Sequence, residues 1–308
     1  MMPEKSKHSE IPENSISSQQ SEKSIASTFI EYGKTIFITL LAAFILKLFV
    51  VEAYRIPSTS MENTLKVGDF LLVNKLAYGI RTPHHLPFTA AYLPSFTIPL
   101  LHSVRRGDVV VFEYPGSRDE IKPSESVNYI KRCIGLPGDT VQIKSGNVFI
   151  NGFEISFPPF CKQESHQVSN LFHRSSEMFP EGSTFNDDNY GPIIVPKRGD
   201  TLQIDPASFF KWRVFIEREG HTVRSVADKI LVDGAIASTY RVQRDYYFVL
   251  GDNRNNSMDS RYWGFVTEDR LIGEALFVYW SWNPEVSVSS LSEKFSTIRW
   301  ERIGTLIK

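Results

Sequence analysis

The chain has 308 residues, 42% of them hydrophobic and 13% aromatic, which is enough to bury a sizeable core and excludes a disordered protein. A net charge of -1 and a sequence pI of about 6.7 lack the basic footprint of a nucleic-acid binder, so nucleic acid is not an expected partner. The two cysteines, Cys133 and Cys161, lie far apart with no zinc-like histidine spacing; they are read as free buried thiols, with a bridge in an oxidising compartment as the alternative, and neither a metal nor a cofactor is expected.

Residues 1–27 are rich in Ser, Glu, Lys and Gln and read as a disordered polar tail. From Thr35 to Val51 the chain is apolar apart from Lys47, which near one end can snorkel. Such a run makes about 25 Å of helix, at the short end for crossing a bilayer. Residues 28–53 are therefore assigned to a membrane anchor. It starts late and ends in Glu52-Ala53-Tyr54-Arg55, with no small-residue cleavage site, which fits an uncleaved single-pass anchor better than a removed leader. Lys34 at the near edge favours an N-terminus on the cytoplasmic side.

Beyond the anchor the pattern turns to β. Gly-Asp pairs precede the runs Phe70 to Val73, Val109 to Phe112, Thr140 to Ile143 and Thr201 to Ile204, each a turn feeding a strand. Asn151-Gly152 and Asp233-Gly234 each follow an apolar run and carry a strong short-hairpin signal, because both turn positions tolerate positive φ. One helix interrupts the pattern, with Asp205 as its expected cap, Pro206 in the first turn, Phe209, Trp212 and Ile216 on one face, and Gly220 at its end. The resulting fold class is mainly β: a single transmembrane helix, then a largely antiparallel β body in two parts, 54–150 and 246–308, with a smaller β lobe carrying one helix inserted at 151–245. Residues 84 to 103 hold many apolar side chains, among them Leu86, Phe88, Tyr92 and Leu93; they read either as a loop folded over the core or as one resting in lipid.

Ser60 follows the anchor closely, in Ile56-Pro57-Ser58-Thr59-Ser60-Met61. A serine hydroxyl is a weak nucleophile until a base takes its proton. Lys131, in Tyr129-Ile130-Lys131-Arg132, has apolar neighbours, and burial lowers a lysine pKa toward the range where the neutral amine is a general base. Taken alone it also reads as an ordinary surface lysine. The third polar segment, Gly251 to Gly264, holds Asp252, Asn253, Arg254, Ser257, Asp259 and Arg261 directly after the apolar run Tyr246 to Leu250. In isolation it could be a self-satisfied turn.

Together these segments resemble bacterial type I signal peptidase (leader peptidase), a serine-lysine dyad protease family with motifs like IPSxSMxPTL, RGDxVVF with YIKRxxGLPGD, and GDNRxNSxDSRxxG. The resemblance implies a membrane-bound serine endopeptidase with Ser60 as nucleophile and Lys131 as general base. It implies further that Ser257 orients Lys131, that the Ser58 hydroxyl and the Ser60 N–H form the oxyanion hole, and that Asp252 with Arg132 and Asp259 with Arg261 are supporting ion pairs. The family removes signal peptides from exported preproteins after Ala-x-Ala-like sites, so shallow pockets follow: Ile56, Met61, Leu65, Tyr129 and Ile130 for the residue before the scissile bond, and Tyr54, Ile56, Val111 and Ile130 for the third before it. Exported preproteins and membrane lipid are the implied partners, the implied state is monomeric or weakly associating, and the implied location is the plasma (inner) membrane with the catalytic body outside. Thr59 stands where the family usually has glycine, Asn63 where it commonly has proline, and Asn255 where it has aspartate. Only one membrane segment is visible, whereas some members have two. A self-cleaving Ser-Lys protein of the repressor type and a silent membrane-anchored module are the rival readings.

Overall fold

The structure is a computed structural model and describes residues 14–81, 97–98, 103–124, 126–156, 177–287 and 289–308. It begins with a helix, Asn14–Phe49. The helix therefore reaches back through half of the segment expected to be a disordered tail. No Pro or Gly interrupts the chain between Pro12 and Gly33, so the turns of an apolar helix extend into polar sequence without a break. Ser27–Phe49 is long and apolar enough to cross a membrane, by length and composition, with a mean hydropathy of 1.7. The helix ends before residue 53, the expected end of the anchor, because Val51-Glu52-Ala53 belong to the strand Val51–Arg55. That strand pairs antiparallel with Asp69–Asn74, and β-branched residues at the helix end favour the exchange.

Residues 49–308 form one compact unit. Its frame is a seven-stranded sheet in the spatial order Val51–Arg55, Asp69–Asn74, Leu271–Ser281, Val109–Glu113, Asn128–Gly135, Tyr246–Leu250, Val266–Thr267, with every neighbouring pair antiparallel. The strand Val109–Glu113 is buried on both faces. Val109 and Val111 join a cluster with Ile56, Met61, Leu65, Leu71 and Val278, while Val110 and Phe112 join another with Cys133, Val249 and Trp263. Period-two alternation thus feeds two cores from one strand. Cys133 is free and buried; Cys161 lies outside the described residues, as do residues 82–96 and 99–102, most of the apolar loop read from sequence.

The four Gly-Asp turns share one construction. Gly68, Gly107, Gly138 and Gly199 all have φ near +90°, between +89° and +100°, which only glycine adopts without strain. In each turn the following aspartate folds back on the residue three before it: Asp69, Asp108, Asp139 and Asp200 accept the N–H of Lys66, Arg105, Leu136 and Lys197 at 2.7, 2.8, 2.7 and 2.9 Å. The hairpins at Asn151-Gly152 and Asp233-Gly234 have both central residues at positive φ, the backbone that matches strand twist.

The lobe starts before residue 151. A four-stranded sheet orders Tyr190–Ile194, Thr140–Lys144, Asn147–Ile150 and Phe153–Glu154, so Thr140–Ile150 belongs to it rather than to the first part of the body. Its core continues into the main sheet, since Val141, Ile143 and Tyr190 cluster with Tyr246, Phe248 and Leu250. The lobe helix is Phe209–Arg218, with Trp212, Val214, Phe215 and Ile216 buried. Ser208 stands at its N-cap position in place of Asp205. The two form a separate turn, in which Asp205 accepts the Ser208 N–H at 2.7 Å and Ser208 Oγ accepts the Asp205 N–H at 2.9 Å.

Candidate active site

Ser60 sits in a loop between the first two strands of the main sheet, closed by Met61 and Leu65, which are 2% and 0% exposed. The Leu65 N–H donates to the Met61 carbonyl at 2.7 Å, and the Glu62 N–H to that of Thr59 at 2.9 Å. Two buried apolar side chains at this spacing fasten the turn to the core and leave Ser58, Thr59 and Ser60 facing outward. Asn63 has φ +81°, a conformation that proline cannot take, so the turn differs locally from one built on proline. Thr59 is not in a positive-φ conformation, and its β-branched side chain carries no backbone strain.

Lys131 comes from the middle of the strand Asn128–Gly135, opposite Val110. It is only 4% exposed. Its Nζ lies 2.7 Å from Ser60 Oγ and donates to the Ile130 carbonyl at 3.1 Å. Burial pushes the lysine down to about 8, against a weaker opposing pull from Asp259 and Asp252. The amine therefore has both the reach and the affinity to take the Ser60 proton near neutral pH. Ser58 Oγ is 3.4 Å from Ser60 Oγ.

The third segment locks this pair in place. Asp252 receives Arg132 through two bonds, Nε to Oδ1 at 2.8 Å and Nη2 to Oδ2 at 2.6 Å, with both side chains about 1% exposed. Thr64 Oγ1 donates to the same carboxylate at 2.6 Å, which binds the serine loop to the pair. Asp259 and Arg261 form a second buried bidentate pair, at 2.9 Å for both Nε to Oδ1 and Nη2 to Oδ2. Burial alone would raise Asp259, but Arg261, the Gly251 N–H and Ser257 outweigh it and hold the carboxyl below its ordinary range. Gly251 has to be glycine, since a Cβ there would meet Ser257 Oγ at 2.1 Å and the Ser60 carbonyl oxygen at 2.6 Å.

Ser257 is buried beside Ser60, yet its Oγ makes no hydrogen bond to Lys131. The expected lysine-orienting contact is not formed here; the Ile130 carbonyl provides the second Lys131 contact instead. The cleft at Ser60 has a volume of about 680 Å³ and is lined by Tyr54, Ile56, Met61, Tyr129 and Ile130. Leu65 and Val111 do not line it. Both are fully buried in the core cluster behind its wall, so they support the pocket without facing it. Asn128, Asn256 and Met258 line the cleft and were missed. A third buried ion pair was missed as well: Arg302 Nε reaches Asp69 Oδ1 at 2.9 Å and Oδ2 at 3.0 Å, with Ser281 Oγ donating to the same carboxylate at 2.7 Å.

A family model described as "Signal peptidase, peptidase S26" matches residues 29–280. A signal peptidase I from Pseudomonas aeruginosa is 32% identical over 273 residues, covering 85% of this chain and 76% of that protein. One from Buchnera aphidicola (subsp. Acyrthosiphon pisum) is 30% identical over 308 residues, covering 96% of this chain and 88% of that protein. One from Aquifex aeolicus is 29% identical over 252 residues, covering 80% and 82%. With the matched region containing both Ser60 and Lys131 and spanning most of the sequence, the chain belongs to the signal peptidase family, peptidase S26.

Proposed function

We propose that this protein is a membrane-bound serine endopeptidase that removes N-terminal signal peptides from exported preproteins after Ala-x-Ala-like sites. The observation that carries the reading is a buried lysine, shifted down to about 8, with its amine 2.7 Å from a loop serine at the edge of an apolar cleft. In this mechanism the neutral Lys131 amine accepts the Ser60 proton as Oγ attacks the scissile carbonyl. The Ser58 hydroxyl and the Ser60 N–H donate to the oxyanion. As the tetrahedral intermediate collapses, the leaving amine takes the proton from the Lys131 ammonium, and an ester to Ser60 remains. Water then attacks that ester, Lys131 accepts its proton, and Ser60 Oγ departs and is reprotonated.

Only the strand Val51–Arg55 and its short continuation separate the apolar helix from Ser60 in sequence. On this reading the enzyme works at the membrane surface on chains still tethered in lipid. Lys34 supports a cytoplasmic N-terminus and a catalytic body on the far side of the plasma membrane. Protease added from outside should then digest the body of the protein in spheroplasts; protection until the membrane is broken would reverse this orientation.

Purified full-length protein in detergent should cut a preprotein after its Ala-x-Ala site. Failure to cut any such preprotein would leave the silent-module reading in its place. Replacing the alanine before the scissile bond by isoleucine should lower kcat/KM by about 100-fold or more, because the Ile56 and Met61 walls are packed into the core and cannot retreat. The pH profile supplies a further test. Lys131 is cationic below about 8, so kcat/KM should rise about tenfold per pH unit on the acid side and level off above that value. A profile flat from mildly acidic to alkaline pH would remove Lys131 as the base.

A further inference from the structure

Both oxyanion donors assigned above flank one residue, Thr59, and that residue is tied across the cleft. Asn256 Nδ2 donates to Thr59 Oγ1 at 2.7 Å. Asn253 Nδ2 donates to the Thr59 carbonyl at 3.2 Å and to Glu62 Oε2 at 3.3 Å, and the Asn253 N–H donates to the Ser60 carbonyl at 3.0 Å. We propose that Thr59 and Asn256 are a positioning pair that sets the Ser58 to Ser60 segment at the angle needed to stabilise the oxyanion. The proposal rests on the Ser60 reading above.

Two features make the pair more than a surface hydrogen bond. Asn256 is itself fixed from below: its N–H donates to the Asn253 carbonyl at 3.1 Å, and Arg261 Nη2 donates to the Arg254 carbonyl at 2.7 Å within the same turn. Arg261 is in turn held by Asp259, so the buried ion pair transmits its rigidity to the Asn256 amide. Thr59, for its part, is β-branched, with few χ1 choices, and one bond to its hydroxyl orients the backbone on either side. A glycine at this place would have more backbone freedom and no side chain to hold. Asn256 is exposed and its bond to Thr59 faces solvent, so that bond contributes little to folding. Its effect falls on the direction of the Ser58 hydroxyl and the Ser60 N–H, and misdirected donors slow the step in which charge develops.

The test is steady-state kinetics of full-length protein in detergent on one Ala-x-Ala preprotein, with Thr59→Val, Thr59→Ser, Asn256→Ala and the Thr59→Val/Asn256→Ala double variant. The expected result is a fall in kcat of about 5- to 20-fold for Thr59→Val and for Asn256→Ala, with KM within about twofold of wild type. The double variant should be no slower than the slower single, Thr59→Ser should recover most of the rate, and the midpoint of the pH profile should stay where Lys131 puts it. Unchanged kcat in Asn256→Ala, losses that multiply in the double variant, or a displaced pH midpoint would each overturn the proposal. A Ser60→Ala control separates the two readings: if it still cleaves, the parent assignment fails, whereas an inactive control with multiplying single losses removes the positioning pair alone.

Discussion

Ser60→Ala and Lys131→Met should each lower preprotein cleavage by about 10³-fold or more while the protein remains folded, because nucleophile and base act as one unit and neither step proceeds without both. Methionine matches the lysine stem in length and leaves no ammonium, so the second variant tests the base without opening a cavity. It carries a second expectation of opposite sign. Lys131 is held at about 8 in the folded protein against an ordinary value of 10.5, so the native state disfavours its charged form. That cost is fully present below about pH 8, shrinks as pH rises toward 10.5, and is absent above it. Lys131→Met removes it, and should therefore be more stable than wild type near neutral pH by roughly 3 kcal/mol at most, with the gain fading in alkaline solution. Thermal melts at pH 7 and pH 10 check this beside the activity assay. An active Lys131→Met variant would end the dyad reading. A melting temperature below wild type at both pH values would show that burial of the ammonium is not what depresses the lysine.

Asp252→Ala should be the most destabilising single change near the site. It strands the Arg132 guanidinium, 1% exposed, without its two carboxylate bonds, and removes the acceptor of Thr64 Oγ1. Breaking a buried pair from one side costs about 3–5 kcal/mol, which is a large share of the total for a domain. Activity should fall with it, since Thr64, in the same loop as Ser60, loses the carboxylate that its hydroxyl donates to. Denaturant unfolding of the Asp252→Ala, Arg132→Met and paired Asp252→Leu/Arg132→Met proteins separates charge from packing. The paired variant should regain much of the stability lost by Asp252→Ala, because no charge is then buried alone. Equal loss in the single and paired variants would mean that the pair acts through shape and hydrogen bonds to its neighbours, Gly107 and Lys308 among them, rather than through charge.

Much of this site could be read in the chain because its chemistry is carried by short runs of residues that keep their meaning locally. Gly-Asp turns are one example: a positive-φ glycine and a carboxylate that accepts the N–H three residues back are properties of four consecutive residues, so all four turns were expected where they occur. The dense polar run from Gly251 to Gly264 after a wholly apolar strand is another, and it holds the buried carboxylates Asp252 and Asp259. The Asp69 to Arg302 pair was not legible because its partners lie 233 positions apart, and nothing in either neighbourhood says that they meet. The start of the lobe was misplaced for a related reason: Thr140–Lys144 reads as a strand from its residues, but which sheet it joins is decided by its pairing with Tyr190–Ile194. The side chains of Leu65 and Val111 belong to the right segments, and only packing shows that they stand behind the pocket wall.

By itself the sequence determined the list of candidate reacting groups, the apolar helix ahead of them and the turns that punctuate the β body, because each is a matter of residue type and near-neighbour spacing. The tertiary structure decided which of those groups lose water and which way they point. Lys131 is an ordinary lysine by composition; its charged form is disfavoured only because the sheet and the third segment enclose it 2.7 Å from Ser60. Ser257, equally well marked in sequence, ends beside the dyad without a hydrogen bond to it. The physical reason is that desolvation and hydrogen-bond direction depend on everything packed around a group, and the groups that meet here are distant in the chain: Lys131 lies 71 positions from Ser60, and Asn256 197 positions from Thr59.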